Sequence, residues 1–227
     1  MLTNRASALI TLTNPRSPIS EAYRTLRTNI EFSSFDKKLR TLVVTSASPE
    51  EGKSTTLANL AVTMAQSGRK VILVDCDLRK PSQHAVFGLR NDRGLTSLMI
   101  PDADLSQPPL QATSQEGLQL LTAGPLPPNP SEMLGSRRME EIIQALKALA
   151  DVVIFDAPPI IAVTDAAVLA TKVDGVLLVV NAGGTKRDQL QKAHALLKKV
   201  NAPVIGAVLN NVKFDSNLHK YYGAEQQ

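Results

Sequence analysis

The sequence contains no tryptophan, a single cysteine and few aromatic residues, which make up 4% of its 227 residues. Because Cys76 is alone, an internal disulfide framework is excluded and the fold needs no oxidising compartment. The longest apolar run, Val176 to Val180, is strand-length and far below the roughly 18 residues of a membrane span. No apolar signal core precedes Pro15. We therefore expect a cytoplasmic chain, with any membrane association provided by a partner or by a segment outside this sequence.

The sequence also lacks a strong excess of positive or negative charge. The chain has 25 Lys and Arg against 21 Asp and Glu, a net charge of +4, which does not favour a nucleic-acid partner. Hydrophobic residues make up 43%, enough for a core of ordinary size. The length and composition predict a single domain over residues 1–227, with a polar, mobile tail over about 215–227.

Short continuous apolar runs alternate with segments of helical periodicity, a pattern typical of parallel strands buried on both faces. This alternation predicts an α/β fold: a doubly wound, mostly parallel sheet with helices on both faces. The predicted strands are Thr41–Thr45, Val71–Val74, Leu118–Leu121, Val152–Phe155, Val176–Val180 and Val204–Leu209. The predicted helices are Ser20–Glu31, with Ser20 as its N-cap, Lys53–Gln66, Arg137–Leu149 and Lys186–Val200.

A phosphate-loop pattern follows the first predicted strand and opens a helix. It differs from G-x-x-x-x-G-K-[ST] only by alanine at the first glycine position. Loop amides and the helix N-terminus would bind phosphates, a lysine would add positive charge, and a serine hydroxyl would ligate Mg²⁺. Its acidic residues are expected to point outward, since they would otherwise repel the nucleotide. The loop comprises Ala47, Ser48, Pro49, Glu50, Glu51, Gly52, Lys53, Ser54 and Thr55.

Carboxylates stand at the ends of two further strands. Asp75 and Asp77 close the strand after the phosphate-loop helix, and Asp156 closes a later one. The carboxyl edge of an open parallel sheet is where ligands bind, and three converging carboxylates need a cation, which Mg²⁺ supplies. Asp165 could be a further carboxylate of this group or the N-cap of a helix that starts near Ala166. We slightly favour the N-cap.

These motifs together resemble the bacterial tyrosine kinases of capsule and exopolysaccharide assembly, which have a P-loop NTPase fold. The loop, Val74-Asp-x-Asp-x-Arg79 and Phe155-Asp-Ala-Pro-Pro159 match that family's Walker A, A′ and B motifs. Two further stretches resemble the family: Glu21-x-x-Arg24-x-x-Arg27-x-Asn29, and the proline-rich Leu121 to Glu132. The compact length is similar to the form that is a separate chain from its membrane activator. The alternative is a ParA/MinD-like ATPase switch without phosphotransfer, but that class carries a lysine where this chain has Ser48.

The resemblance implies an ATP-dependent protein-tyrosine kinase with Mg²⁺ as cofactor. Lys53 would hold phosphates, and Arg79 would stabilise developing charge or be a solvated surface residue. Asp75 is the first candidate for the general base, although it and Asp77 could exchange roles. The implied Mg²⁺ ligands are Ser54, Asp77 and Asp156. Asn210 and Asn211 would hold the adenine, or else form a turn.

The resemblance also implies assembly. Glu21, Arg24 and Arg27 would lie roughly along one helix face and contact a neighbouring subunit, although a solvated face with an intrahelical Glu21–Arg24 pair is the alternative. In a homo-oligomeric ring, each tail would deliver Tyr221 and Tyr222 to a neighbour for phosphorylation in trans. The other implied partners are a membrane activator, tyrosine-bearing protein substrates and a counteracting phosphatase. The tail is unusual in carrying only two tyrosines.

Overall fold

The computed structural model describes residues 9–33 and 39–212. The predicted tail, with Tyr221 and Tyr222, lies outside the described residues. The strands are β1 Thr41–Ser46, β2 Val71–Asp75, β3 Gln111–Ala112, β4 Leu118–Leu121, β5 Val152–Asp156, β6 Gly175–Asn181 and β7 Val204–Asn210. The helices are α1 Ile10–Thr13, α2 Pro18–Phe32, α3 Lys53–Gln66, α4 Gln83–Phe87, α5 Leu95–Leu98, α6 Pro130–Gly135, α7 Arg137–Leu149, α8 Asp165–Ala170 and α9 Arg187–Lys199.

The strands form one seven-stranded sheet in the order β3-β4-β2-β5-β1-β6-β7. All pairings are parallel except that of the short β3 with β4. The central strands β1, β2 and β5 are buried along their whole length, as their continuous apolar sequences predict. The predicted doubly wound α/β fold is confirmed, with strand ends that differ by a residue or two.

Helices cover both faces of the sheet, and each face has its own apolar core. Alternate side chains of β1 divide between the two: Leu42 and Val44 pack with α3, while Val43 packs on the side of α7 and α8. This alternation follows from the two-residue period of a strand. Within the described residues, no helix is both long and apolar enough to cross a membrane.

The strand order determines where the chemistry can be. β5 lies between β2 and β1, so Asp75 and Asp156 are register partners and the loop after β1 opens beside them. In an open parallel sheet this carboxyl edge is the usual ligand site, because successive loops leave a crevice there. The fold therefore gathers the three predicted motifs at one edge.

The N-terminal helix α2 begins earlier than predicted. Ser17 is its N-cap: the Ser17 side chain accepts a hydrogen bond from the Ser20 amide, and Pro18 takes the first helical position. Proline suits that position because its missing N–H would have no partner there. The assignment of Ser20 as the cap was therefore wrong, and Ser20 is instead buried in the first turn.

Candidate active site

The phosphate loop joins β1 to α3 through a tight turn at Gly52. Gly52 has φ +83°, and a Cβ atom there would come within 1.9 Å of the Asn210 Nδ2 atom. That amide donates a hydrogen bond to the Glu51 carbonyl at 3.0 Å, so the end of β7 supports the loop. Glycine suits this position, because another residue would be strained at this φ and its Cβ atom would displace the Asn210 amide from the Glu51 carbonyl.

The two acidic residues of the loop point in different directions. Glu50 is exposed, as expected. Glu51 is buried, and its carboxylate accepts hydrogen bonds from the Ala47 amide at 3.0 Å and the Thr185 hydroxyl at 2.6 Å. The prediction that both point outward was therefore wrong for Glu51. Its charge is compensated by donors inside the protein, and it braces the loop against the segment between β6 and α9.

Lys53 lies at the centre of the site with its ammonium group almost fully buried. The Lys53 Nζ atom is 2.5 Å from Asp156 Oδ1, 3.7 Å from Asp77 Oδ2 and 3.1 Å from Ser54 Oγ. Burial alone would lower the pKa of Lys53, but attraction to Asp156 and to the other two aspartates raises it above its ordinary value. The lysine therefore remains charged.

The oxygens around Lys53 are the kind that Mg²⁺ prefers. A cation, the ammonium group, already lies where the Ser54 hydroxyl and the carboxylates of Asp77 and Asp156 converge. In the described part of the chain, no group of three acidic, histidine or cysteine side chains forms a metal cage. Mg²⁺ bound to nucleotides commonly uses one or two carboxylates, phosphate oxygens and waters, so the donors here fit that ion.

Asp75 and Asp77 differ in their access to the site. Asp75 is completely buried, and its carboxylate accepts backbone hydrogen bonds from Asp77 at 3.2 Å and from Ser82 and Gln83 at 2.9 Å each. Burial and the nearby charge of Asp156 raise the pKa of Asp75 to about 7. Asp77 lines a cavity at the mouth of the site, whereas Asp75 does not. Asp77 therefore has the access that contact with a substrate requires.

The raised pKa of Asp75 predicts a pH-dependent stability. An acid whose pKa is higher in the folded than in the unfolded state loses stability as the pH rises between the two values, here from about 4 to about 7. In metal-free buffer, Asp75→Asn should raise the free energy of unfolding at pH 8 by on the order of 1–3 kcal/mol and bring no gain at pH 4. Urea unfolding at both pH values measures this difference.

Asp174 provides a control of opposite sign. Its carboxylate accepts hydrogen bonds from the Arg40 amide and from the amide and hydroxyl of Thr41, and these outweigh burial and lower its pKa. Asp174→Asn should therefore destabilise the chain, and more at pH 8 than at pH 3. An equal effect of Asp75→Asn at both ends of its pH range would contradict the prediction for Asp75.

Gln83 is a site residue that the sequence analysis missed. It is buried at the start of α4, and its Nε2 atom donates to Asp156 Oδ2 at 2.6 Å and to the Ser54 carbonyl at 3.1 Å. Its own amide donates to Asp75, so one residue connects all three motifs. No local pattern marks it, because Gln83 and Asp156 are 73 residues apart in the sequence.

Removing the side-chain amide of Gln83 should weaken the Mg²⁺-dependent binding of nucleotide. Gln83→Leu leaves Asp156 Oδ2 without its donor, and loss of such a support typically lowers metal affinity by about 10- to 100-fold. We expect the Mg²⁺ concentration for half-maximal binding of a fluorescent ADP analogue to rise at least about tenfold. Gln66→Leu, at the far end of α3, is the control. Equal Mg²⁺ dependence in both variants would show that Gln83 does not support the metal ligands.

Two cavities meet at the phosphate loop. The first, of about 420 Å³, is lined by Ser46, Pro49, Glu50, Glu51, Gly52, Lys53, Ser54, Thr55, Asp77, Arg79, Lys80, Pro158, Pro159, Ala162 and Val163. The second, of about 590 Å³, shares Thr55 with the first and lies between α2 and the end of β7. Asn210 and Asn211 line it, and Asn211, at φ +57°, donates its side-chain amide to Asn181 Oδ1 at 3.0 Å. A ligand bound at the loop can therefore extend either way.

Asp165 does not cap a helix. Thr164 is the N-cap of α8, and Asp165, its first residue, is completely buried. Its carboxylate accepts hydrogen bonds from Arg79 Nε and Nη2, both at 3.0 Å. The slightly favoured interpretation was therefore wrong: the carboxylate forms an ion pair with Arg79, and hydrogen bonding to Asp165 raises the pKa of Arg79.

The predicted assembly residues of α2 make different contacts within the chain. Glu21 pairs with Arg24 at 2.7 Å, and Arg24 also donates to the Pro15 carbonyl. Arg27 turns toward α3 and donates to the Thr63 carbonyl at 2.8 Å. Arg27 thus joins α2 to its own domain. The Glu21–Arg24 contact is the intrahelical pair of the alternative interpretation. Contact with a neighbouring subunit stays a prediction for Glu21, Arg24 and Arg27.

Comparison with known proteins agrees with this geometry. Residues 38–221 match a ParA family model described as NUBPL iron-transfer P-loop NTPase. The chain is 45% identical over 227 residues to tyrosine-protein kinase YwqD of Bacillus subtilis, covering 98% of this chain and 95% of that protein.

Solved structures give the same relationship. The chimerical protein CapA2B2 is similar with a TM-score of 0.87 and 40% identity, covering 92% of this chain and 91% of the other. The kinase domain of the Escherichia coli tyrosine kinase ETK has a TM-score of 0.86 and 33% identity, covering 92% and 81%. The phosphate loop, the strand-end carboxylates and these similarities together show that the chain belongs to the ParA-type P-loop NTPases and, among them, to the bacterial tyrosine kinases.

Proposed function

We propose that the chain is an ATP-dependent protein-tyrosine kinase that transfers the γ-phosphoryl group of ATP to a tyrosine hydroxyl. The observation that carries this proposal is the cavity at the phosphate loop, where the Lys53 ammonium, the Ser54 hydroxyl and the Asp77 carboxylate meet. Positioning and charge neutralisation account for most of the catalysis in such transfers, and this cavity offers both.

Phosphate binding follows from the loop. Its backbone amides and the N-terminus of α3 bind the phosphates, and Lys53 moves from Asp156 to the β- and γ-phosphate oxygens. Ser54 and Asp156 would hold Mg²⁺, and Asp77 would contribute through a bound water, which leaves its carboxylate able to take a proton. The bound Mg²⁺ supplies the charge that neutralises the phosphates and the leaving ADP.

Asp77 is the proton acceptor that we propose for the transfer. The tyrosine oxygen forms a bond to the γ-phosphorus, the bond to the bridging oxygen of ADP breaks, and the tyrosine proton passes to the Asp77 carboxylate. Burial raises the pKa of Asp77, although Lys53 opposes this, and a raised pKa suits a general base. Asp75, whose oxygens are held by three backbone amides, fixes the turn that carries Asp77.

The adenosine moiety is proposed to occupy the second cavity. Its position beside Thr55, directly after the phosphate-binding residues, supports this direction of the nucleotide. Asn211 would meet the base or the ribose, while Asn210, through its bond to the Glu51 carbonyl, holds the loop beneath it.

The biological setting that we propose extends the resemblance to the bacterial tyrosine kinases. The kinase regulates capsule or exopolysaccharide synthesis and export, acts in the cytoplasm and is recruited to the inner face of the membrane by a membrane activator. Subunits assemble into a ring through Glu21, Arg24 and Arg27, and each phosphorylates Tyr221 and Tyr222 of a neighbour. The added negative charge of the phosphotyrosines weakens docking near the carboxylates and loosens the ring, and a phosphatase reverses the modification.

The second candidate function is an ATPase switch of the ParA/MinD kind, which the ParA family match favours. Such a switch would hydrolyse ATP without phosphorylating tyrosine. Ser48 stands where that class carries a lysine, which supports the kinase instead.

The partition of ATP turnover between tyrosine and water distinguishes the two functions. The full chain, with and without cytoplasmic segments of candidate activators, is incubated with labelled MgATP, and protein-bound phosphotyrosine and free phosphate are both counted. The kinase proposal predicts phosphotyrosine in excess of free phosphate during the first turnovers. Free phosphate with no phosphotyrosine under any condition would favour the switch.

A further inference from the structure

Arg79, on the wall of the first cavity, is held by a buried carboxylate from a distant part of the chain. Its Nε and Nη2 atoms donate to the two oxygens of Asp165 at 3.0 Å each, the planar two-point pairing that only arginine makes with a carboxylate. The Arg79 side chain is 42% exposed, whereas the Asp165 side chain is 0% exposed. The acid thus anchors the guanidinium from behind while the arginine faces the cavity.

Ser131 completes the anchor. Its hydroxyl donates to Asp165 Oδ1 and accepts from Arg79 Nη2 at 3.3 Å, and it contacts the Thr164 hydroxyl at 3.2 Å. Residues from three separate segments therefore converge on one guanidinium: the turn after β2, the start of α6 and the start of α8. Ser131 belongs to the proline-rich stretch Leu121 to Glu132, to which the proposed mechanism gives no task.

The anchor leaves part of the guanidinium available. Arginine has five N–H donors, of which Asp165 and Ser131 engage those on Nε and Nη2. Within the described part of the chain, Arg79 Nη1 donates to no acceptor. A charged group with free donors on the wall of a phosphate-binding cavity, held rigidly from behind, is arranged to meet anionic oxygens.

Stability is a poor explanation for this arrangement. Burying a carboxylate costs desolvation energy. The attraction within a buried ion pair often does no more than offset that cost, so the pair adds little to the stability of the fold. Positioning of the guanidinium at a reaction site explains the pair better. Displacement of a catalytic group by about 1 Å can lower the rate on the order of 100-fold.

We propose that Asp165 and Ser131 are positioning residues that fix the Arg79 guanidinium on the cavity wall, where its Nη1 donors stabilise the charge on the transferred phosphoryl group. This inference rests on the proposed function for the identity of that group. It assigns to the proline-rich stretch the task of supplying Ser131 to the anchor.

A double-variant cycle tests the inference. The variants are Arg79→Met, Asp165→Asn and the two combined, and kcat and KM for MgATP are measured in the full chain with phosphotyrosine as product. Each single variant should lower kcat by on the order of 100-fold and change KM less than about threefold. The combined variant should be no slower than Arg79→Met alone, because Asp165 acts only through Arg79.

An exposed ion pair elsewhere provides the matched control. Arg90 and Asp92 pair at 3.1 Å with side chains 83% and 57% exposed, so Asp92→Asn should leave kcat unchanged. The inference is overturned if Asp165→Asn slows the Arg79→Met chain by the same factor as the wild type, or if it leaves wild-type kcat unaltered. Should Asp165→Asn fail to fold, Ser131→Ala replaces it in the cycle, with an expected loss of about tenfold.

Failure of the proposed function can be told apart from failure of the inference. If the wild type hydrolyses MgATP without forming phosphotyrosine, the kinase assignment fails, and the same cycle is then read on the rate of hydrolysis. Non-additive losses in hydrolysis would support the anchor even so, because the charge on the γ-phosphoryl group develops in both reactions. Additive losses in hydrolysis would overturn it.

Discussion

Lys53→Met is expected to lower the rate of phosphotyrosine formation by at least on the order of 1000-fold. The Lys53 ammonium is the only side-chain cation of the phosphate loop, and it is surrounded by Asp156, Asp77 and Ser54. Removing it takes away the charge that meets the β- and γ-phosphates and leaves Asp156 buried without its nearest cation. Transfer of labelled phosphate to tyrosine, measured at saturating MgATP, gives the ratio to wild type.

Two further measurements distinguish loss of the phosphate-binding charge from misfolding and from a general effect of removing a lysine. Loss of the cation beside Asp156 also destabilises the chain, so folding is checked by circular dichroism and thermal unfolding at the assay temperature. Lys70→Met, at an exposed lysine beside the opposite end of β2, is the matched control and should retain wild-type activity. If a folded Lys53→Met chain kept more than a tenth of wild-type activity, the role assigned to Lys53 and the phosphate loop in catalysis would be contradicted.

Asp77→Asn is expected to be the second most damaging change, with a loss of about 100- to 10,000-fold in kcat. Asparagine keeps the size of the side chain but cannot accept the tyrosine proton. Asp77 lines the cavity, and its carboxylate is 3.7 Å from Lys53, so the change also weakens the anionic surroundings of the cation. Rates of phosphotyrosine formation in single turnover measure the chemical step apart from product release.

Asp75→Asn is the internal comparison for that prediction. Its side chain does not reach the cavity, and its hydrogen bonds go to backbone amides, so we expect a loss at least about tenfold smaller than that of Asp77→Asn. Measurement of nucleotide affinity in both variants separates binding from chemistry. A larger loss in Asp75→Asn than in Asp77→Asn would return the general-base role to Asp75.

Local sequence patterns were sufficient for the fold and for the location of the site. Continuous apolar runs such as Val152–Phe155 indicate strands buried on both faces, and the loop pattern ending in Gly52-Lys53 follows such a strand. Once the strands are parallel, their carboxyl ends share one edge, so Asp75 and Asp156 come together without any knowledge of contacts.

The Ser20 cap was a local error, since Ser17, three residues earlier, takes that place. The errors and omissions at the site have another cause, which is pairing between residues distant in sequence. Glu51 is satisfied by Thr185, 134 residues away, and Asp165 by Arg79, 86 residues away. A carboxylate in isolation favours an outward orientation or a helix cap, because solvent or a local amide is then its best partner. Gln83 carries no local signal at all, and its position depends on which strand lies beside β2.

A mixing experiment with a marked acceptor tests the central claim most directly. Lys53→Met chain labelled with heavy isotopes is mixed with wild-type chain and MgATP, with the activator segment present, and both chains are mapped by mass spectrometry. The account predicts phosphotyrosine on the heavy chain at Tyr221 or Tyr222, formed only when the wild-type chain is present. Hydrolysis of ATP with no phosphotyrosine on either chain would contradict it.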